Sequence, residues 1–339
     1  MADSPIRREE PRSRTGLDAV EPREPTAPDP TTDPLLADLE REVVGEVRGG
    51  APLAELTTLR VGGPARALVV AERDADLAAV GAACRSHGVP WAVVGRGSNL
   101  LVADRGWPGV AIQLGRGFRG LETADGRVRA GAAEPLPALA VRVADAGYGG
   151  FAWACAVPGT LGGAVRMNAG AHGGELADHL VEADVVRLSS GTRETWPVAT
   201  LGLTYRHSAL PGDAVVVDAT LALAPGSPEE LRAEIREIRA WRRTHQPLND
   251  PNCGSVFTNP PGDSAGRLVE AVGGKQLVVG GARVSERHAN FIVTTPGATA
   301  ADVRGLIREV RRRVETEFGV RLRPEVAMLG DFDDGGLDP

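Results

Sequence analysis

The chain has 339 residues, enough for two or three subdomains with a large buried core. Its formal net charge of −7 is mild and mixed along the sequence, so nucleic-acid binding, which needs a basic patch or stripe, is not expected. The three cysteines lie far apart and no Cys/His cluster has zinc-site spacing, which indicates a reducing compartment and no structural metal. There is neither a membrane-spanning apolar run nor a signal peptide, so we expect a cytoplasmic protein that does not engage membranes.

Apolar patterning in the first half predicts alternating strands and helices after an irregular tail. Residues 1–33 are rich in Pro, Arg, Glu, Asp and Thr and hold almost no large apolar residue, so they are expected to be disordered. The patterns that follow predict strands at Arg66–Ala71, Trp91–Val94, Val110–Leu114 and Val128–Ala130, and helices at Asp74–His87 and Pro135–Ala146.

The second half predicts a strand region followed by a separate α+β domain. Strands are predicted at Leu180–Leu188, Arg193–Pro197 and Val215–Leu223. The composition changes near residue 225, where Ser227-Pro228-Glu229-Glu230 has the pattern of a capping box and opens a helix. A second long helix is predicted at Asp302–Phe318 with Thr299 as its cap, and short strands are predicted at Leu277–Val279 and Phe291–Val293.

Two glycine-rich stretches predict a cradle for phosphate groups. The stretch Ala156–Glu175 holds six glycines, a density that indicates close approach of backbone to a ligand. Consecutive N–H groups in such loops bind anions. The other stretch, Gly95–Val102, follows a predicted strand but lacks the third glycine of GxGxxG, and no GxxxxGK[ST] occurs. Neither a Rossmann nor a P-loop site is therefore expected.

Several short motifs between Leu56 and Gly330 together resemble the UDP-N-acetylenolpyruvoylglucosamine reductases, flavoenzymes of peptidoglycan precursor synthesis. They occur in the family's order and at compatible spacings, and the short run after Tyr205-Arg206-His207-Ser208 favours the family's shorter form. The motifs are Thr57–Ala65, Gly95–Val102, Ala156–Glu175, Tyr205–Ser208, Gln246-Pro247, Cys253–Phe257, Val284–Phe291 and Pro324–Val326.

The resemblance implies an α+β fold: a two-subdomain FAD-binding fold of the vanillyl-alcohol-oxidase type, followed by a C-terminal α+β substrate-binding domain. We accordingly divide the chain into a tail (1–33), FAD-binding subdomains (34–105 and 106–225), a substrate-binding domain (226–331) and a second tail (332–339). A monomer is expected.

The resemblance also implies the reaction and its cofactors. NADPH would reduce a non-covalently bound FAD, whose N5 would then give a hydride to the enolpyruvyl ether of UDP-N-acetylglucosamine-enolpyruvate, a small nucleotide-sugar substrate, to yield UDP-N-acetylmuramate. No histidine or cysteine stands where a covalent flavin link could be defended.

The implied catalytic residues are Arg206, Ser255 and Glu325. A guanidinium such as that of Arg206 suits the carboxylate on which enolate charge develops. Ser255 would give the proton, and Glu325 would lie beside the same carboxylate, either protonated or paired with Arg206. The alternatives are a surface ion pair for Arg206, a turn serine for Ser255 and an ordinary strand-end carboxylate for Glu325.

The resemblance assigns binding roles to further positions. Tyr205, Lys275 and Asn290 would contact substrate, although Tyr205 could equally be a packing residue. Arg242 and Arg243 are open between substrate contact and favourable interaction with a helix C-terminus. The cofactor-binding positions are Arg60, Gly62, Gly95, Gly97, Ser98, Asn99, Leu100, Pro158, Gly159, Thr160, Gly162, Gly163, Ala164, Asn168 and Ala169.

Two other functions are compatible with parts of the sequence. Another FAD oxidoreductase of the same fold would keep both glycine stretches but would not need Arg206, Ser255 or Glu325. A non-catalytic sensor of nucleotide sugars would be expected to have lost at least one of these three residues. All three are present, which favours the reductase.

Overall fold

The computed structural model describes residues 33–332. The disorder predicted for the N-terminal tail therefore concerns residues outside the described part, apart from Asp33, and most of the predicted C-terminal tail lies outside it as well. Asp33 belongs to the folded protein, because its buried carboxylate accepts a hydrogen bond from Leu35 N and pairs with Arg66.

None of the helices in the described residues is long and apolar enough to cross a membrane.

The first structural unit is a four-stranded sheet with two helices. Helix α2 presents Leu77, Val80 and Cys84 to the core and ends at Gly88, whose φ of 62° lies in the left-handed region that favours glycine. Strands β2, β3 and β5 run parallel and β1 lies antiparallel at one edge, in the order β1-β2-β5-β3. The elements are α1 (Pro34–Glu42), β1 (Glu46–Gly49), β2 (Ala65–Ala71), α2 (Asp74–His87), β3 (Trp91–Val93), β4 (Leu100–Val102) and β5 (Trp107–Leu114).

Strand β5 corrects the first subdomain boundary. The sequence division at residue 106 assigns this strand to the second subdomain, yet it lies inside the first sheet between β2 and β3. Its buried stretch Val110–Ile112 packs into the same core as α1 and α2. The sheet therefore continues to Leu114.

The second unit is a five-stranded antiparallel sheet covered by two helices. Its strand order is β12-β11-β13-β7-β6, and β13 is buried along nearly its whole length because α4 packs against it. The elements are β6 (Leu121–Ala124), β7 (Arg127–Gly131), α3 (Leu136–Asp145), β8 (Tyr148–Gly149), α4 (Leu161–Met167), β9 (Gly170–Ala171), β10 (Gly174–Glu175), β11 (Leu180–Arg187), β12 (Arg193–Pro197), β13 (Ala214–Ala222) and β14 (Ala224–Pro225).

The third unit packs helices on a small antiparallel sheet of order β15-β18-β17-β16. Thr299 caps α7 as predicted, in a reciprocal capping box with Asp302. The box predicted at Ser227 is wrong: Ser227 is the N-cap residue of α5, but its side chain makes no capping bond. The elements are β15 (Asn252–Ser255), α6 (Ala265–Ala271), β16 (Val278–Val279), β17 (Ala282–Val284), β18 (Phe291–Thr294), α7 (Ala300–Phe318) and β19 (Ala327–Leu329). Helix α5 (Pro228–His245) precedes them but packs on α3 and the core of the second unit, where Ile235 is buried, so the predicted boundary near residue 225 separates α5 from the unit it packs on.

The chain returns to its first unit at the end. Strand β19 pairs in parallel with β4, so that Ala327 faces Leu100. The two segments are also joined through Ala327 N, which donates to Asn99 O at 3.0 Å. This pairing brings the residues just before β19 against the loop that leads into β4.

A fully buried carboxylate ties the start of α2 to the loop before β1. Asp76 accepts hydrogen bonds from Val44 N (3.1 Å), Gly45 N (3.3 Å), Glu72 N (2.9 Å) and Arg73 Nε (3.1 Å). Burial acts to raise the pKa of Asp76, but the donors together outweigh burial and lower the pKa below its ordinary value of 3.8.

Asp76→Asn should therefore destabilise the fold by about 3 kcal/mol at pH 7, because an amide turns an N–H group towards backbone N–H groups. A depressed folded pKa gives stability that is present above the unfolded pKa and is lost as pH falls through the folded value. The deficit of the variant, measured by urea denaturation, should be constant from about pH 7 to about pH 5 and should shrink as pH falls below 3.8. The exposed Asp125→Asn serves as control, and an equal deficit at about pH 7 and about pH 3 would contradict this account.

Candidate active site

Two glycine-containing loops face each other across an elongated cavity. The first, Gly95–Asn99, connects β3 to β4; the second, Pro158–Gly163, leads into α4. Thr160 caps α4 by accepting from Gly163 N at 3.3 Å. One cavity of about 420 Å³ lies between the loops and opens towards the third unit, and a second of about 630 Å³ continues beneath α4 and β13. Both volumes are in the range of cofactor sites.

The glycines keep the gap between the loops open. A Cβ on Gly95 would lie 3.0 Å from Thr160 Oγ1, and a Cβ on Gly159 would lie 3.5 Å from Ser98 Oγ, so side chains at these positions would enter the space between the loops. Gly97 has a φ of 58°, and a Cβ there would meet Leu56 O at 2.0 Å. The residues present therefore fit a ligand held closely along the backbone, as the implied FAD would be.

Most of the predicted cofactor residues do line these cavities. The positions in contact with the cavity space are Gly95, Gly97, Ser98, Asn99, Leu100, Pro158, Gly159, Thr160, Gly162, Gly163, Ala164 and Ala169.

Three of the predicted cofactor residues line neither cavity: Arg60, Gly62 and Asn168. Arg60 is exposed. Gly62 (φ 113°) packs so tightly on β4 that a Cβ would lie 2.6 Å from the Cβ of Val102. Asn168 is completely buried as the left-handed cap of α4. Backbone packing accounts for Gly62 and Asn168, and contact of these three residues with the cofactor stays a prediction.

Arg206 lies in a tight turn that points it at the cavity. Thr204 and His207 exchange two backbone hydrogen bonds of 3.0 Å, and Arg206 between them has a φ of 56°, which is rare for a residue with a Cβ. Its Nη2 donates to Gly170 O at 2.7 Å and its Nε lies 3.2 Å from Glu325 Oε1. Such backbone strain is typical of functional positions.

Asn168 connects this turn to the C-terminal end of α4, the helix that follows the second glycine loop. Its Nδ2 donates to Thr204 O at 3.0 Å, and its Oδ1 accepts from Ala177 N at 2.9 Å. Both ends of the amide are engaged, so Asn168 holds the Arg206 turn at a fixed distance from the end of α4.

Glu325 arrives at the site from the segment before β19. Its backbone N donates to Val256 O at 2.7 Å and its O accepts from Asn99 Nδ2 at 3.1 Å, which fixes it between β15 and the first loop. Burial raises the pKa of Glu325 above its ordinary value of 4.5, although the charge of Arg206 acts against this rise.

Ser255 ends β15 beside Gly254, whose φ of 76° and hydrogen bond to Asn252 Oδ1 (2.9 Å) shape a bulge in the β15–β18 pairing. The bulge turns Ser255 towards the same cavity as Arg206 and Glu325. Within residues 33–332 its hydroxyl makes no hydrogen bond of its own, so it is available to a ligand.

Asn290 lines the cavity, but its side chain is committed to the backbone. Its Oδ1 accepts from Phe257 N at 3.0 Å and its Nδ2 donates to Phe257 O at 2.8 Å. This clamp holds the chain two residues beyond Ser255, so Asn290 positions the serine loop, and its predicted direct contact with substrate is not supported by these bonds.

The other two predicted substrate residues differ in position. Tyr205 is 51% exposed at the cavity rim, and the Arg206 guanidinium carbon lies 4.8 Å from the centre of its ring. Lys275 lies outside the cavities and pairs with Glu270 at 2.7 Å. Contact of Lys275 with substrate therefore stays a prediction.

Sequence reasoning missed some cavity residues. Asn259 lines the smaller cavity, and its position four residues after Ser255 was the signal. Arg242 also lines this cavity, which favours substrate contact over an interaction with the helix C-terminus for this residue. Arg243 does not line the cavity. Arg96, within the first glycine loop, and Arg166, on α4, line both cavities.

Within residues 33–332 no group of three His, Cys, Asp or Glu side chains is arranged to hold a metal ion. Cys253 borders the smaller cavity as a buried thiol, and burial raises its pKa to about 12. It therefore stays protonated and is a poor nucleophile.

Two family profiles match the chain. An FAD-binding domain profile matches residues 65–195, which contain both glycine loops. The profile of the C-terminal domain of UDP-N-acetylenolpyruvoylglucosamine reductase matches residues 246–329, which contain Ser255 and Glu325. The two profiles confirm the predicted order of an FAD-binding fold followed by a C-terminal α+β domain.

Curated relatives extend over nearly the whole chain. UDP-N-acetylenolpyruvoylglucosamine reductase from Heliobacterium modesticaldum is 44% identical over 89% of this chain and 98% of its own length, and that from Anaeromyxobacter is 47% identical over 87% and 92%. The crystal structure of the Thermus caldophilus reductase superposes with a TM-score of 0.71 at 37% identity, covering 84% of this chain and 99% of that one. The chain belongs to the UDP-N-acetylenolpyruvoylglucosamine reductase family.

Proposed function

We propose that the protein reduces the enolpyruvyl ether of UDP-N-acetylglucosamine-enolpyruvate to the lactyl ether of UDP-N-acetylmuramate, with NADPH as reductant and non-covalent FAD as cofactor, in peptidoglycan precursor synthesis. FAD, when bound, supplies the redox chemistry between NADPH and the substrate double bond. The observation that carries the proposal is the convergence of Arg206, Ser255 and Glu325, from three separate segments, on the cavity that both glycine loops line.

The side chains of this protein must then stabilise the developing negative charge and supply one proton. As the double bond is reduced, negative charge develops on the conjugated carboxylate, and the guanidinium of Arg206 stabilises it. Glu325, with its raised pKa, approaches the same carboxylate in its protonated form and donates a hydrogen bond. Ser255 gives its hydroxyl proton to the carbon that bears the ether oxygen, which completes the lactyl group.

The binding roles follow the lining of the cavity. The glycine loops hold the flavin nucleotide, while Arg242 and Asn259 extend the surface available to the nucleotide sugar. The proposal includes a monomeric enzyme of the cytoplasm without a nucleic-acid partner, and the division into two cofactor subdomains and one substrate domain. A sensor without catalysis would have no need of the Arg206–Glu325 pair.

The proposal predicts a yellow protein that consumes NADPH only when the enolpyruvyl nucleotide sugar is present. Ser255→Ala should leave flavin reduction by NADPH unchanged and slow reoxidation by substrate by about 10²–10⁴-fold, because the proton donor is lost. Anaerobic stopped-flow absorbance separates the two half-reactions. The exposed Ser190→Ala is the control, and equal slowing of both half-reactions by Ser255→Ala would remove Ser255 from the role of proton donor.

The pH dependence should identify the state of Glu325. A group that acts while protonated supports the reaction below its pKa and loses effect as pH rises through it, so reoxidation by substrate should decline on the alkaline side of a pKa above 4.5. Glu325→Gln keeps a neutral donor and should flatten this decline while retaining activity. A variant with an unchanged pH profile would assign the decline to another group.

A substitution of Asn168 should slow flavin reoxidation by substrate without weakening the binding of FAD. Asn168→Asp keeps the acceptor for Ala177 N but replaces the donor to Thr204 O with an oxygen, which frees the Arg206 turn. Reoxidation by substrate should slow by about 10-fold or more, with FAD affinity and the NADPH half-reaction unchanged. Weaker FAD binding with normal reoxidation would indicate instead that Asn168 supports the cofactor loop.

A further inference from the structure

The two cavities of the active site meet at a narrow waist formed by both glycine loops. Only a few residues border both cavities, among them Gly95 of the first loop and Gly163 of α4. Two of the shared residues are arginines, Arg96 and Arg166, one on each side of the waist. Neither was assigned a role by the glycine pattern.

Both arginines lack an acidic partner. Among residues 33–332, no Asp or Glu oxygen lies within 4.0 Å of the guanidinium of Arg96 or of Arg166. The acidic side chains along the cavities are Glu55 and Glu325, and Glu325 is paired with Arg206. Much of the arginine elsewhere is paired, as in the cluster in which Arg129 and Arg193 meet Asp184 and Asp218.

Arg166 is held in place without being neutralised. Its Nη1 donates to Leu210 O at 2.9 Å and Pro211 O at 2.8 Å, both uncharged acceptors, and within residues 33–332 its Nε and Nη2 have no hydrogen-bond partner. Burial lowers the pKa of Arg166, which reflects the cost of keeping this cation partly out of water without a counter-charge. A bound anion would remove that cost.

We infer that Arg96 and Arg166 form a two-arginine clamp on the pyrophosphate of FAD at the waist between the cavities. The inference rests on the proposed function, since it takes FAD as the ligand. FAD consists of a flavin half and an adenosine half joined by a doubly charged diphosphate, which matches two cavities joined at a doubly positive waist. Guanidinium groups bind phosphate oxygens through paired charge-assisted hydrogen bonds.

The clamp adds full positive charge to the FAD-binding contribution of the glycine loops. Backbone N–H groups supply direction to a diphosphate, but only partial charge. Arg96 is exposed and unpaired in the described part of the chain, so it can move onto the ligand, whereas Arg166 is fixed beforehand by residues 210 and 211.

The test is FAD affinity, measured by quenching of flavin fluorescence on titration into protein from which the flavin has been removed. Arg96→Met and Arg166→Met should each raise the FAD Kd by about 10- to 100-fold. Riboflavin, which has no phosphate, should bind all variants equally. Arg166→Lys should recover part of the affinity, and the exposed Arg236→Met on α5 should match the parent protein.

Within residues 33–332 the side chain of Arg96 makes no hydrogen bond or ion pair, so Arg96→Met tests the inference even if Arg166→Met fails to fold. Unchanged FAD Kd in Arg96→Met and in Arg166→Lys would overturn it. So would an unchanged FAD Kd with loss of the preference for NADPH over NADH, which would assign the arginines to the 2′-phosphate of NADPH. Failure of the unmodified protein to take up FAD would instead contradict the proposed function itself.

Discussion

The active site depends on the parallel pairing of β19 with β4. This pairing joins residues 327–329, near the end of the described chain, to the strand that follows the first glycine loop. Asn99 reinforces it by donating to Glu325 O, while Glu325 N donates to Val256 O. One short segment thus links the cofactor loop, the buried carboxyl and the serine loop. The bonds that Asp104 accepts from Ala300 N and Ala301 N also hold the third unit to the first.

The proposed reaction depends on two charged side chains that this junction brings together, those of Arg206 and Glu325. Arg206 and Glu325 lie within ion-pair distance, yet each side chain is 18% exposed and the carboxyl is poorly solvated. An isolated buried pair of this kind contributes little to stability. In the proposed reaction the pair offers one carboxylate ligand both a permanent cation and a neutral donor, a combination that water cannot provide in a fixed geometry.

The sequence predicted the fold well wherever a pattern was local. Helix α2, strand β12 and the start of α5 lie at the predicted residues, because periodicity, proline and glycine signals act over a few residues. The glycine loops were found for the same reason. The assignment of β5 failed, because sheet membership depends on which strands pair across the sheet, and no local signal carries that information.

Candidate site residues could be named from the sequence when the chemistry of the side chain suits one particular role. Arg206, Ser255 and Glu325 could be named from motifs, and they face one cavity. The sequence did not show that Asn168 and Asn290 bind backbone at both ends of their amides, because an amide in a motif can bind ligand or backbone. Arg96 and Arg166 were overlooked because arginine is abundant throughout the chain, so its significance here comes only from missing counter-charges.

The left-handed backbone of Arg206 sets stability against activity at a single position. A residue with a Cβ at a φ of 56° is held there at a cost of about 1 kcal/mol, and glycine or asparagine would adopt the same turn with less strain. Selection for thermal stability alone would therefore favour loss of the arginine. Directed-evolution screens that report only on folding or expression would therefore enrich variants changed at this turn, and the proposed mechanism predicts that such variants are inactive.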